Sequence, residues 1–237
     1  MLWADEVISA NSIAFSPDGN KIYSGFEKWI RVFDTSSSGR ICDLKQTYVD
    51  KTGQKGIISC IATNPLNPNI IAVGSYDRSI GLYEEPGLTN ICVLLGQKGG
   101  LTHLQFSSDG NRLYSGGRKD SEILCWDLRN IGHVLSVINR EVNTNQRIYF
   151  DLSSDSKYLV TGSDTGFVAT YDINCEASDE IMKPLNTFSA HKDCVNGVSF
   201  HPTLPLLSTT SGQRRFADIS DSEDEHDLSL VNTQQEN

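Results

Sequence analysis

The sequence predicts an all-β molecule built from stacked antiparallel units, and three observations carry that expectation. Five segments of the 237 residues line up with one another. Within each, apolar and polar residues alternate at period two, and no long window has the 3.6-residue apolar period of a helix. Turn residues interrupt the alternation at matching places, as in Ser16-Pro17-Asp18-Gly19 and again at Asp109-Gly110.

Taken in order, the units cover 13–34, 60–84, 104–127, 150–172 and 198–216. Each opens with an alternating run and then turns. The Asp-Gly pairs at Asp18-Gly19 and Asp109-Gly110 supply the positive φ that a tight hairpin needs. A second run ends in a small residue followed by glycine, at Gly25, Gly74, Gly116 and Gly162, with Thr209 in the equivalent place. The spacings are 49, 42, 46 and 47 residues. After a polar loop, a third run closes on an aromatic and an acid: Phe33-Asp34, Tyr83-Glu84, Trp126-Asp127 and Tyr171-Asp172. A lone meander of this size cannot bury both faces, so the units must stack.

This pattern resembles the WD40 repeat, the blade of a β-propeller. The Trp-Asp dipeptide survives only at Trp126-Asp127, and the Gly-His signature is reduced to His191 in "SAHKDCV", with Gln97 in "GQKGGLTHL". The expected fold is an incomplete WD40 β-propeller: four full blades and a partial fifth, part of a larger, seven-bladed ring. A ring closed by these units alone leaves an unpaired strand edge, so blades N-terminal to Met1 are expected. The expected domains are the partial propeller at 1–215 and an acidic disordered tail at 216–237. That tail holds seven of the 30 acids and no lysine or arginine, so the formal charge of −10 falls to −3 for the body. Its composition cannot offset the entropy of ordering. Its "SDSEDE" run fits an acid-directed phosphorylation site or a solubility tail equally well.

Other chemistry is disfavoured. No apolar run approaches the ~18 residues of a membrane span, and "MLWADEV" has no basic segment ahead of an apolar one. Cys42, Cys60, Cys92, Cys125, Cys175 and Cys194 stand singly, with no C-x-x-C pair and no ligand spacing to histidine. Reduced thiols inside a cell, with no metal and no cofactor, are expected. His103 reads as a core histidine linking inner strands, and Ser75-Tyr76-Asp77 and Ser163-Asp164 as loop residues. "GQKGG" lacks the strand–loop–helix setting of a phosphate loop. A non-enzyme without a small-molecule substrate is the expectation.

In a propeller, the connectors between blades and the loops joining second to third strands share one end. Here those loops hold ten of the 20 lysines and arginines against six acids. The candidate RNA-binding residues are Arg78, Arg118, Lys119, Arg147 and Arg214, with Asn145 and Gln146 for hydrogen bonding and Trp29 and Tyr76, placed in loops, for stacking. Arginine and amides pair with phosphates and base edges, and aromatic rings stack on bases. On residues alone the same loops serve a protein-binding face. Amides there can satisfy local backbone, and Arg147 can pair with Asp127 or Asp164.

Longer runs narrow the choice. "GIISCIATNPLNPNIIAVGSYDRSIGLY", "GGLTHLQFSSDGNRLYSGGRKDSEILCWDLR", "REVNTNQRIYFDL" and "DCVNGVSFHPTLPLLSTTSGQR" are similar to blades of the telomerase Cajal body protein family, over about 5–215. That resemblance implies an RNA-binding scaffold recognising the CAB box of H/ACA small Cajal-body RNAs and of telomerase RNA. It implies a role in directing these ribonucleoproteins to Cajal bodies in the nucleus, with a cytoplasmic share. It further implies H/ACA ribonucleoprotein proteins and a folding chaperonin as partners, and no membrane. A protein-only WD40 scaffold, such as a substrate receptor, is the competing expectation.

Overall fold

The computed structural model describes residues 8–174 and 182–212. Alternation becomes strand throughout. In the first blade β1 (Ser12–Phe15), β2 (Lys21–Gly25), β3 (Trp29–Asp34) and β4 (Asp43–Gln46) pair antiparallel in that order. A short hairpin, β5 (Tyr48–Val49) and β6 (Thr52–Gly53), interrupts the connector that follows. The second blade is β7 (Ile58–Thr63), β8 (Ile70–Ser75), β9 (Ser79–Glu84) and β10 (Thr89–Leu95). The third is β11 (Leu101–Phe106), β12 (Arg112–Gly117), β13 (Glu122–Asp127) and β14 (His133–Asn139). The fourth is β15 (Phe150–Leu152), β16 (Tyr158–Gly162), β17 (Phe167–Asp172) and β18 (Asn186–Ser189). A two-stranded unit, β19 (Val195–Phe200) and β20 (Leu207–Ser211), completes the described residues. Four full blades and a partial fifth match the expected architecture. At the predicted turns Gly19 and Gly110 take φ of 73° and 66°.

The blades stack side by side, with inner strands in succession: β1 against β7, β7 against β11, β11 against β15 and β15 against β19. The core lies between blades. Tyr23 and Ile30 of the first blade meet Ile58, Ile71 and Tyr83 of the second. Leu82 and Leu94 meet Leu101, Leu113 and Trp126 of the third. Tyr114 and Ile123 meet Phe150 and Tyr171 of the fourth, and Val160 and Val168 meet Val195 and Val198. At about 25 cal/mol per Å² of buried apolar surface, these layers supply the main stabilisation.

The repeated glycine marks where the next inner strand passes. A β-carbon on Gly25 meets the Ile58 carbonyl at 2.8 Å, one on Gly74 meets Leu101 at 2.9 Å, and one on Gly162 meets the Val195 carbonyl at 2.2 Å. Seryl hydroxyls stitch the same seams: Ser12 Oγ donates to the Ile58 carbonyl at 3.0 Å and Ser59 Oγ to the Leu101 carbonyl at 2.6 Å.

The outward face of the first blade leaves Ile13, Phe15 and Leu44 exposed, and pairing sets Ile22 and Phe33 on that same face. It is an open apolar sheet surface of the kind a further layer covers.

Several details correct the sequence reading. Trp29 is the first residue of β3, not a loop residue. Ser75, read as a loop residue, ends β8, and the sequence does not signal the β5–β6 hairpin. The tail at 216–237, Arg214 and Cys175 lie outside the described residues. Among the described residues Cys42, Cys60, Cys92, Cys125 and Cys194 are free thiols, and no helix is long and apolar enough to cross a membrane.

Candidate nucleic-acid interface

The connectors and the second-to-third-strand loops meet at one end of the blades because loop aspartates tie them together. Asp77 accepts from the backbone N–H groups of Lys55 and Gly56 at 2.7 and 3.0 Å. Asp120 accepts from Gly99 N–H at 2.7 Å, and Asp164 from Asn143 N–H at 2.7 Å. Burial opposes the charge of Asp77, yet donors from Ser79, Gly56 and Lys55 outweigh it and hold the carboxyl below its ordinary range.

Two amides belong to this scaffolding and not to a binding surface. Trp126 Nε1 donates to Ser115 Oγ at 2.9 Å, Ser115 Oγ donates to Gln97 Oε1 at 2.8 Å, and Gln97 Nε2 donates to Asp120 at 2.8 Å. Gln97 is buried, so it presents no amide to a ligand. Gln54 plays the same part in the second blade, donating to the Val73 and Ser79 carbonyls and accepting from Tyr83 Oη at 3.1 Å.

Next to this frame the "GQKGG" glycines do a steric job. A β-carbon on Gly99 falls 2.1 Å from the Arg118 carbonyl, and one on Gly100 falls 2.9 Å from the Tyr76 carbonyl. Bare backbone between the two loops lets them approach, and Arg118 N–H donates to the Gly100 carbonyl at 3.0 Å. As a result the Arg118 guanidinium lies over the Tyr76 ring, 4.1 Å from its centroid. Arg147 reaches the same ring from the next connector. Its Nη2 donates to Tyr76 Oη at 3.1 Å and to the Asn11 carbonyl at 3.2 Å. Burial works against the Arg147 charge, but the Tyr76 and Tyr149 hydroxyls hold it up, so the guanidinium stays ionised. Among the described residues neither Arg118 nor Arg147 is in an ion pair. The expected pairing of Arg147 with Asp127 or Asp164 is therefore absent.

The other candidates are distributed around this cluster. Lys119 is exposed, and its N–H donates to the Thr144 carbonyl at 2.8 Å, fixing the third-blade loop to the connector that carries Asn145, Gln146 and Arg147. Asn145 is exposed. Gln146 Oε1 accepts from Asn196 Nδ2 at 2.6 Å, so half of its amide is committed to the fifth unit. Arg78 is exposed with φ of 72°, and Lys28 sits in the same place of the first blade with φ of 61°. Gly166 stands there in the fourth, with φ of 90°. Lys119 in the third-blade loop also has positive φ, at 48°. A non-glycine residue in that region costs roughly 1–2 kcal/mol, so three blades carry a cation where glycine fits best. Trp29 is 36% exposed and pairs with Gln46; no contact joins it to Tyr76 among the described residues. Arg214 lies outside them.

Two neighbours were missed by the sequence reading: Asn11, which supplies a carbonyl to Arg147, and Tyr149. Tyr149 rests against His103 in a T-shaped contact, with centroids 4.8 Å apart. His103, half-buried on β11, also meets Phe150 at 4.6 Å and so links neighbouring inner strands as expected. Ser12, Ser59, Thr102, His103, Arg147 and Tyr149 line an axial cavity of about 480 Å³ formed by the first four blades. The arrangement offers guanidinium charge, a stacked ring and polar backbone to one ligand, which suits phosphate and unpaired bases. No group of three or more His, Cys, Asp or Glu among the described residues is placed to hold a metal.

Comparison with known proteins gives concordant results. The family model described as "WD domain, G-beta repeat" matches residues 6–34, 44–84, 88–127 and 182–215. The chain is 51% identical over 227 residues to Telomerase Cajal body protein 1 of Mus musculus, covering 95% of this chain and 42% of that protein. It is 50% identical over 221 residues to the Homo sapiens protein of that name, covering 93% and 40%. The Drosophila melanogaster protein named Telomerase Cajal body protein 1 homolog is 41% identical over 222 residues, 91% of this chain and 38% of that one. The chain thus spans about 40% of the length of these curated relatives.

Proposed function

Because this chain belongs to the WD40-repeat family and is related along nearly its whole length to telomerase Cajal body proteins, we propose that it is part of a non-catalytic RNA-binding scaffold. Its ligands are small Cajal-body RNAs of the H/ACA type and telomerase RNA, recognised through the short CAB-box loop. Its task is to direct these ribonucleoproteins to Cajal bodies, with H/ACA ribonucleoprotein proteins as partners and a chaperonin assisting folding. It acts in the nucleus, with a share in the cytoplasm.

The observation that supports RNA over a protein-only role is the Arg118–Tyr76–Arg147 cluster. Two cations that form no ion pair among the described residues converge on one ring at the end where the loops meet. Arg118, Lys119, Asn145 and Arg147 are the residues assigned to contact, with Arg78, Gln146 and Trp29 flanking them and Tyr76 presenting Arg118; Arg214, outside the described residues, is a further candidate.

The test is binding of a hairpin RNA with an unpaired loop, measured against salt. Arg118→Ala is expected to weaken binding about 10-fold and to reduce the log–log salt slope by about one. A folded protein that retains no RNA at low salt, yet holds protein partners regardless of salt, sinks the reading in favour of a protein-only scaffold.

A further inference from the structure

We propose that Tyr149, together with the Arg118-covered ring of Tyr76, forms a two-platform stacking site for two unpaired bases of an RNA loop, with the Arg147 guanidinium beside them. This rests on the RNA reading above and adds to it a residue and a strandedness.

Alternation of burial exposes Tyr149. Ile148 and Phe150 on either side are each 1% exposed, while Tyr149 is 37% exposed. A large aromatic turned away from the core immediately before the inner strand β15, it lines the axial cavity together with Arg147. Its orientation is fixed from below. The His103 ring meets it at 65° and meets Phe150 at 69°. With 37% of Tyr149 exposed on the cavity lining, part of the ring is open to a ligand.

Arg147 then links the two platforms. Its guanidinium donates to the Tyr76 hydroxyl at 3.1 Å and shares the axial cavity lining with Tyr149. Tyr76 already carries Arg118 on one face. Guanidinium planes and tyrosine rings both take an unstacked base, and every base has a π-face to offer. Bases inside a duplex have those faces covered by their neighbours, so the site selects single-stranded segments by geometry.

The experiment uses the full chain and a hairpin RNA with 2-aminopurine at successive loop positions, whose fluorescence is quenched by stacking. The wild-type protein and Tyr149→Phe should quench at two adjacent positions and bind within twofold of each other. Tyr149→Leu keeps apolar bulk but loses the ring; it should lose quenching at one position and weaken binding about 10-fold, within the range for one stacked base. Its melting temperature, compared with that of Tyr149→Phe, shows that the fold is intact. A fully paired RNA of equal length should not compete. Tyr149→Leu that quenches and binds like wild type, while Arg118→Ala weakens binding, overturns the platform and leaves the RNA reading standing. No hairpin binding by the wild-type chain overturns both.

Discussion

Arg140→Ala should lower the melting temperature by about 10 °C, corresponding to roughly 3–4 kcal/mol at 2–4 °C per kcal/mol for a chain of this size. Arg140 is buried, and its guanidinium ties three segments together. Nη1 donates to the Ile148 carbonyl at 3.0 Å and to Thr161 Oγ1 at 3.4 Å, and Nη2 donates to the Gly117 carbonyl at 3.1 Å. These join the third blade, the connector and the fourth blade. Burial pushes the guanidinium down to about 10, so holding a charge there costs the fold on the order of 3 kcal/mol.

A buried ion pair with that cost can often be replaced by apolar residues without loss. Here the acceptors Ile148 and Gly117 are backbone carbonyls that no substitution removes. Truncation strands both, at about 1–3 kcal/mol each, and opens a void besides. Arg140→Met fills the space but not the hydrogen bonds, so it should fall between alanine and wild type. Arg140→Met melting within 2 °C of wild type, by calorimetry, contradicts this account of the seam.

His103 should make the molecule acid-sensitive in a window set by its own shift. Burial, reinforced by the nearby Arg140 charge, drives its pKa from 6.5 to about 4, with Asp151 and Gln105 opposing weakly. The folded ring therefore stays neutral while the unfolded chain takes up a proton. Full stability is present above pH 6.5, and it declines as pH falls through the interval down to about 4. At ~1.4 kcal/mol per unit, the loss reaches on the order of 3 kcal/mol. The carboxyls of Asp18, Asp77, Asp109 and Asp127 are held below 3.8, so their contributions vanish at lower pH. Urea titrations at pH 7, 5.5 and 4.5 measure the slope. His103→Gln should flatten it; an unchanged slope in that variant places the acid sensitivity elsewhere.

The fold was legible because its rules are local or periodic. Alternation named the strands, Asp-Gly named the turns, and the repeated glycine recorded a steric demand made by the following blade. Loop positions at the axial end followed from that topology. What the loops do with their side chains did not. Trp29 was placed in a loop because Lys28 carries the turn at positive φ, and lysine there gives no turn signal of the kind glycine or asparagine gives.

Nothing in the neighbours of Gln97 announces that its amide joins a buried chain with Ser115 and Trp126, from a different stretch. Arg140 stands in a polar run beside Glu141, and its burial is imposed by Gly117 and Thr161, each more than 20 residues away. Tyr149 could have been found: alternation with Ile148 and Phe150 sets it opposite the buried face. The large groove over Arg140, about 580 Å³ between the third and fourth blades, is lined by Phe167, Ala169, Tyr171 and Pro184.

The central claim is RNA recognition at the axial loop face, and crosslinking with sequencing of RNA bound in cells tests it most directly. Wild-type protein should enrich guide RNAs that share one short loop sequence, and Arg118→Ala/Lys119→Ala should lose them while keeping the wild-type melting temperature. Enrichment that survives the double substitution, or no RNA above background with the wild-type protein, contradicts the account.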